Sequence, residues 1–270
     1  MSDVSLPPLF DIPSRYAPSA AHPVRVRSRP VEADTQFGRH LHPWAQVAYT
    51  SRGVIRMAVD DTTWIVPPSR AIWIPAHIVH DVEIVEPAYL RTLYVHESVA
   101  PAALDACRVL EVSALLRELI VALDGDVVLS AEREQWLGQL IIDEILRSES
   151  LPLGVPLPAD KRLRALCEAV IANPAAHAPL EQLALDVGAS VRTISRLFRS
   201  ELHSSFSEWR QLAVLAHAIP LLSEGMSLSR VAHELGYTSQ SAFTAMFRRA
   251  FGKSPREFFA RDADLPRTET

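Results

Sequence analysis

His40 and His42 stand two residues apart in the stretch Gly38-Arg39-His40-Leu41-His42-Pro43-Trp44-Ala45-Gln46. If that stretch is a β-strand, alternate side chains share a face, and Gln46 has the same parity. The three side chains can then face a barrel interior, where imidazole serves as a hydrogen-bonding group or a ligand. A second chemistry lies in the C-terminal third, where PLEQLALDVGASVRTISRLFRSELHSSFSEW and SLSRVAHELGYTSQSAFTAMFRRAFGKSPREF are related copies. Leu183-Ala184 matches Val231-Ala232 and Gly188 matches Gly236, both at an offset of 48; Phe198-Arg199 matches Phe247-Arg248 at 49. Each copy reads as a short helix, a Gly at the turn and a longer helix with apolar residues at i, i+3 and i+4. Ending the short helix sharply favours positive φ, which Gly adopts cheaply. One such pattern suits a plain helical hairpin as well as a DNA reader; two copies favour the reader.

These groups need elements to position them. The chain has 270 residues, enough for two domains with their own cores. Residues 1–30 are Pro-rich with little periodicity and read as an N-terminal arm. From Val31 to residue 100, the segments WAQVAYT, VIRMAVD, TTWIVP, RAIWIPA, DVEIVE and YLRTLYV are punctuated by Gly, Pro and Asp-Asp. That pattern predicts an all-β barrel or sandwich. Residues 101–150 turn helical, with apolar faces at 113–123 and 131–147 and Ser130 as an N-cap. LPLGVPLPA at 151–159 reads as a linker. Asp160 opens a helical region, 160–261, and 262–270 is a tail. Ser254-Pro255-Arg256-Glu257 and Ser205-Phe206-Ser207-Glu208 carry helix-start signals of the capping-box type. Pro220 falls inside the helix joining the two copies and should kink it or end its regular part early.

The net charge of -5 hides a split. Residues 1–159 carry 13 Lys+Arg against 20 Asp+Glu, whereas residues 160–261 carry 13 against 9. The C-terminal segment is the one suited to approach phosphates, though modestly. Two cysteines, Cys107 and Cys167, far apart, argue against a disulfide framework. With no signal-peptide pattern and no apolar run of the ~20 residues needed to cross a bilayer, the expected location is the cytoplasm, away from membrane.

Gly236-Tyr237-Thr238-Ser239, Phe243, Phe247-Arg248-Arg249 and Phe251-Gly252-Lys253-Ser254-Pro255 together resemble the signature of the AraC family of bacterial transcription regulators. The resemblance covers about the last hundred residues. It implies two recognition helices, joined by a long helix, entering successive major grooves ~34 Å apart. It places Arg192, Ser195 and Arg196 of the first recognition helix at base edges, and on the second Gln240 and Ser241 are the best candidates. Arg suits guanine and Gln suits adenine. Arg199, Thr244, Arg248 and Lys253 are expected at phosphates, where contacts position the module without specifying sequence. Ala242 and Ala245, in place of longer polar residues, weaken readout by the second helix.

The His40–Gln46 stretch, followed by Gly53, resembles the first cupin motif, in which two His and a Glu bind a metal; here Gln46 takes the Glu position. Pro75-Ala76-His77-Ile78-Val79-His80 resembles the second, with His77 in place of its usual Gly and His80 as the third His. Three His and a Gln could hold a divalent metal. The reading adopted is a metal-free effector pocket at the old ligand positions, because a sensor needs a pocket but no reaction. No cofactor is therefore expected, with a divalent metal as the alternative. Trp44 and Tyr49 are expected to line the pocket, whereas Trp64 and Trp73 read as core.

The fold class expected is α+β multidomain: a cupin-like barrel with a helical hairpin, then an all-α double helix-turn-helix module. The function expected is a sequence-specific, DNA-binding transcription regulator, not an enzyme, with double-stranded DNA, a small-molecule effector and a second copy of the chain as partners. Two rivals are a metal-dependent cupin enzyme with a DNA-binding tail, and a constitutive DNA binder whose barrel serves only dimerisation.

Overall fold

The structure is a computed structural model that describes residues 12–59, 61–124, 129–176, 178–223 and 225–260. The tail expected at 262–270 and the first 11 residues of the expected arm lie outside the described residues. The chain divides into two compact units, Met1–Asp60 with Val66–Leu151, and Asp61–Ile65 with Pro152–Thr270.

In chain order, the strands are β1 (Val24–Val31), β2 (Gln36–His40), β3 (Ala45–Thr50), β4 (Ile55–Val59), β5 (Thr62–Val66) and β6 (Arg70–Ile74). They continue with β7 (His80–Ile84), β8 (Ala88–Val95), β9 (Arg108–Glu111), β10 (Ser150–Leu151) and β11 (Gly154–Pro156). In the first unit, one antiparallel sheet has the order β1-β8-β3-β6-β9-β10. A second has β7 between β4 and β2. All six residues of β3 are buried, because each of its faces has a cover. Ala45, Val47 and Tyr49 pack with Trp73, Leu93 and Val95 under two helices, α1 (Ala114–Asp124) and α2 (Ala131–Arg147). Gln46 and Ala48, on the other parity, border the barrel cavity.

Leu116, Leu119 and Ile120 of α1 and Leu137, Ile141 and Ile145 of α2 supply the helical side of this core. Fully burying each such side chain contributes about 1.5–3 kcal/mol. The caps are local: Ser113 Oγ accepts from Leu116 N, and Ser130 Oγ accepts from Arg133 N.

Three elements differ from the sequence expectation. β1 begins at Val24, inside the stretch read as an arm. Its Pro30 disguises it, yet β1 is an edge strand that pairs only β8, so a missing N–H is tolerated. β9 lies in the region expected to be helical; at four residues it is too short to show a period. The expected linker carries β11 and the end of β10, of three and two residues.

In the second unit, β11 pairs antiparallel with β5, and Val155 enters a helical core with Leu163, Leu166, Ile194, Phe198 and Trp209. The Trp209 indole N–H donates to Pro156 O at 2.7 Å. The helices are α3 (Lys161–Ala172), α4 (Leu180–Asp186), α5 (Val191–Glu201), α6 (Phe206–Ser223), α7 (Leu228–Glu234), α8 (Gln240–Phe251) and α9 (Pro255–Ala260). Asp160 caps α3 by accepting from Arg162 N and Leu163 N. Both capping boxes form reciprocally. Ser205 N donates to Glu208 Oε2 at 2.7 Å while Glu208 N donates to Ser205 Oγ at 3.2 Å; Ser254 and Glu257 do the same at 2.7 and 3.3 Å. Pro220 does not end α6, which runs on to Ser223. Sitting in the last turn, the proline removes few bonds from the helix beyond it.

Candidate DNA-reading faces and effector cavity

Each helix-turn-helix copy turns at a glycine. Gly188 follows α4 at φ +66° and Gly236 follows α7 at φ +73°, the left-handed conformation the sharp turn requires. Ser190 and Ser239 then cap the second helices, accepting from Thr193 N and Ala242 N. Ile194, Leu197 and Phe198 bury one face of α5; Phe243, Met246, Phe247 and Phe251 bury one face of α8. The opposite faces are therefore solvent-facing by the helical period alone.

On α5, Arg192, Arg196 and Arg199 are exposed and Ser195 is half-buried. These side chains share the outward side of one helix, where three guanidiniums can meet an anionic backbone or a guanine edge. On α8, Gln240 and Ser241 are exposed in the first turn, and Thr244 Oγ1 donates to Gln240 O at 2.9 Å. Gln240, Ser241, Thr244, Ala245, Arg248 and Arg249 border one open concavity. Arg249 was not singled out from the sequence, although its place beside Arg248 in the second copy was the available signal. Arg248 is engaged: its Nη2 lies 3.6 Å from Glu257 Oε2 of the second capping box. Lys253 is half-buried just after α8. The helix joining the copies, α6, has 18 residues, about 27 Å at 1.5 Å rise per residue.

In the first unit, His40, His42 and His80 converge, with ligand nitrogens all within 4.8 Å of one another. Their ring centroids are 5.0 Å apart for His40–His42, 4.3 Å for His40–His80 and 5.3 Å for His42–His80. All three are buried, as is Gln46, whose side chain hydrogen-bonds His42. Strand parity is not what brings them together. β2 ends at His40 after a register shift between Phe37 and His40, and Gln46 lies on β3 in the other sheet. The chain crosses between the sheets here, and His77 N donates to His42 O at 2.8 Å across the crossing. His80 stands directly opposite His40 in the β2–β7 pairing.

His77 itself has φ +63°, a left-handed conformation that costs a non-glycine residue about 1–2 kcal/mol. This is the position where the cupin motif carries Gly. Trp44 stacks on His42 at 6.0 Å and meets Tyr94 edge-on at 6.0 Å. Tyr49 departs from its expected place. Its odd parity on β3 turns it away from the cavity into the core under α1 and α2. Trp73 is core as well, its indole donating to Leu104 O at 2.9 Å.

Burial disfavours the imidazolium forms. His42 is pushed down to about 3 by desolvation first, then by His80 and His40. His80 is pushed down to about 4 by desolvation, against a bond to Ile78 O. His40 is lowered for the same leading reason. At neutral pH the cluster is uncharged. His40 Nδ1 is 2.6 Å from Gly38 O and His80 Nδ1 is 2.9 Å from Ile78 O, so these nitrogens carry the protons and the lone pairs lie on Nε2. His80 Nε2 is buried with no hydrogen-bond partner among the described residues. Neutral rings held by backbone carbonyls suit metal ligation, so the residues present fit a divalent ion.

A cavity of about 30 Å³ adjoins the cluster. Its polar lining includes His40, His42, Gln46, Thr92, Tyr94 and Arg29; Phe37, Ala48, Val82 and Leu90 supply apolar surface. Arg29 is a second residue that sequence reasoning missed. The alternation Arg25, Arg27, Arg29 along a strand was its signal, hidden because the stretch was read as an arm.

Comparison with known proteins matches residues 22–150 to an AraC-like ligand binding domain and residues 183–261 to a helix-turn-helix domain. The chain is 31% identical over 224 residues to the HTH-type transcriptional regulator NimR of Escherichia coli K12, covering 82% of each chain. It is 39% identical over 103 residues to the HTH-type transcriptional regulator RipA of Corynebacterium glutamicum, 38% of this chain and 31% of that one. The arabinose operon regulatory protein of Escherichia coli K12 is 27% identical over 144 residues, 50% of this chain and 49% of that one. Two capped helix-turn-helix copies behind a ligand-binding β-domain, matched along most of a relative's length, place this chain in the AraC family of DNA-binding transcription regulators, which are not enzymes.

Proposed function

We propose that this regulator reads its operator with Arg192, Ser195 and Arg196 of α5 and Gln240 and Ser241 of α8. Arg199, Thr244, Arg248 and Lys253 hold the phosphates. A small-molecule effector occupies the barrel cavity beside His40, His42, Gln46 and His80. The observation that carries this reading is a buried, uncharged polar cluster opening on a cavity in the domain that precedes two capped recognition helices. Binding-site selection with the purified full-length chain tests the DNA half. For the effector half, His42→Ala should alter ligand response in a reporter assay and leave basal operator binding unchanged. Equal loss of both would overturn the assignment. No helix among the described residues is long and apolar enough to cross a membrane.

The chain acts as a homodimer through α1 and α2. Their inner faces are buried, yet Leu115, Trp136, Leu140 and Leu146 stand outward with exposures of 52%, 56%, 48% and 48%. A helix that only covers a barrel needs one apolar stripe, and these carry apolar groups on a second face. The double substitution Trp136→Glu/Leu140→Glu should convert a dimer to a monomer in sedimentation velocity at tens of micromolar, with the fold intact by circular dichroism. A wild-type chain that sediments as a monomer at that concentration would refute the dimer.

A second reading of the cavity is favoured by the two backbone-tethered imidazoles. His40, His42 and His80 would ligate one divalent transition metal, with Gln46 beside them. When bound, the ion would supply a Lewis-acid anchor for an effector. Equilibrium dialysis against Zn²⁺ or Ni²⁺ followed by elemental analysis should find a stoichiometric ion that His80→Ala abolishes. Sub-stoichiometric metal in both proteins would remove this reading and leave the effector pocket standing.

A further inference from the structure

We infer that the ligand of the barrel cavity is a small organic anion whose carboxylate seats on the guanidinium of Arg29. This rests on the reading of that cavity as the effector site. Strand β1 places Arg25, Arg27 and Arg29 at alternate positions, so the three start on one side of the strand. Arg25 has a carboxylate, with Nη1 3.5 Å from Glu134 Oε1. Arg27 bonds the Tyr94 side chain and lies 5.5 Å from the centre of the Tyr16 ring. Arg29 differs from Arg25: it forms no ion pair among the described residues. Its guanidinium sits 4.7 Å over the Phe37 ring at the cavity.

The surroundings sharpen the contrast. Among the described residues, no Asp or Glu lines the cavity. Among the described residues that line the cavity, Arg29 is the one Lys or Arg. Burial and the neighbouring Arg27 both work against its charge. A half-buried cation without a counter-ion is the arrangement that an incoming anion relieves. The planar fork of Arg takes a carboxylate through two parallel N–H···O bonds, which a neutral amide cannot match. Thr92, Gln46 and Tyr94 offer further hydrogen bonds. Phe37, Val82 and Leu90 supply apolar contact for a carbon skeleton, which favours an organic carboxylate over phosphate. The cavity's volume, about 30 Å³, suits a headgroup of that size.

The test uses the full-length protein with acetate, propionate, butyrate and benzoate, the matching primary amides, and inorganic phosphate. Thermal shift and titration calorimetry read binding. At least one carboxylate should raise Tm while its amide does not, and Arg29→Gln should weaken that carboxylate by about 10-fold or more. Arg29→Lys should restore part of the loss. If no carboxylate stabilises the protein above its amide, the anion proposal is overturned. Stabilisation by phosphate alone overturns the organic part. If the shift survives Arg29→Gln but is lost in His42→Ala, the cavity is the effector site and the anion assignment is wrong. A shift that survives both variants places the ligand elsewhere and overturns the cavity reading itself.

Discussion

Acidifying the metal-free protein should destabilise it steeply between about pH 6 and pH 4, and His42 and His80 should account for much of the slope. Both have folded pKa values below the ordinary histidine value, at about 3 and about 4. Above pH 6.5 the imidazoles are neutral in folded and unfolded chains alike, and the shift has no effect on stability. As pH falls through 6.5, the unfolded chain takes up protons that the folded one refuses, so stability is lost until the folded pKa is reached. Two such groups give a limiting slope of about 2.7 kcal/mol per pH unit. Urea unfolding at intervals from pH 7.5 to pH 4 measures it. His80→Asn should flatten the curve by about half, and a curve of unchanged slope would mean that the cluster is not held neutral. Saturating divalent metal should carry the loss on to lower pH, because a bound ion keeps the same rings neutral while the unfolded chain still takes up its protons near pH 6.5.

Arg196→Ala should weaken specific operator binding by about 1–3 kcal/mol, roughly 5- to 150-fold, and relax preference at one base pair. Arg196 is exposed on α5, on the side away from Ile194 and Phe198, so truncation should not disturb the fold. Lys253→Ala should instead weaken all sequences alike and lower the salt dependence by about one counterion. Arg248→Ala should have a smaller effect than Arg199→Ala. Arg248 must give up its 3.6 Å contact with Glu257 to reach a phosphate, whereas Arg199 forms no ion pair among the described residues. Competition binding against a library of operator variants at two salt concentrations separates these outcomes. Uniform loss by Arg196→Ala without altered base preference would place it on the backbone.

The sequence by itself determined the elements whose causes are local. Capping boxes at Ser205–Glu208 and Ser254–Glu257, the glycine turns at 188 and 236, and the buried stripes of α5 and α8 follow from contacts within a few residues. The strands β3 to β8 were legible for the same reason, each long enough to show branched and aromatic composition between turn residues. What depended on distant partners was not legible. β1 looked like an arm because its Pro30 is acceptable at a sheet edge and not in a central strand, and edge position is a property of the whole sheet. β9 and β11 are short pieces whose hydrogen bonds come from β6 and β5, far away in sequence. The histidine cluster was anticipated from strand parity, yet it is assembled by a chain crossing between two sheets and by the His40–His80 register. Tyr49 was expected beside Gln46 at the pocket, although its opposite parity on β3 sends it into the core under α1 and α2. Arg29 could be recognised only once β1 was placed, because what distinguishes it from Arg25 and Arg27 is the partner each finds in space. Local pattern decides which backbone a segment adopts; burial and pairing decide which of its charges is left to meet a ligand.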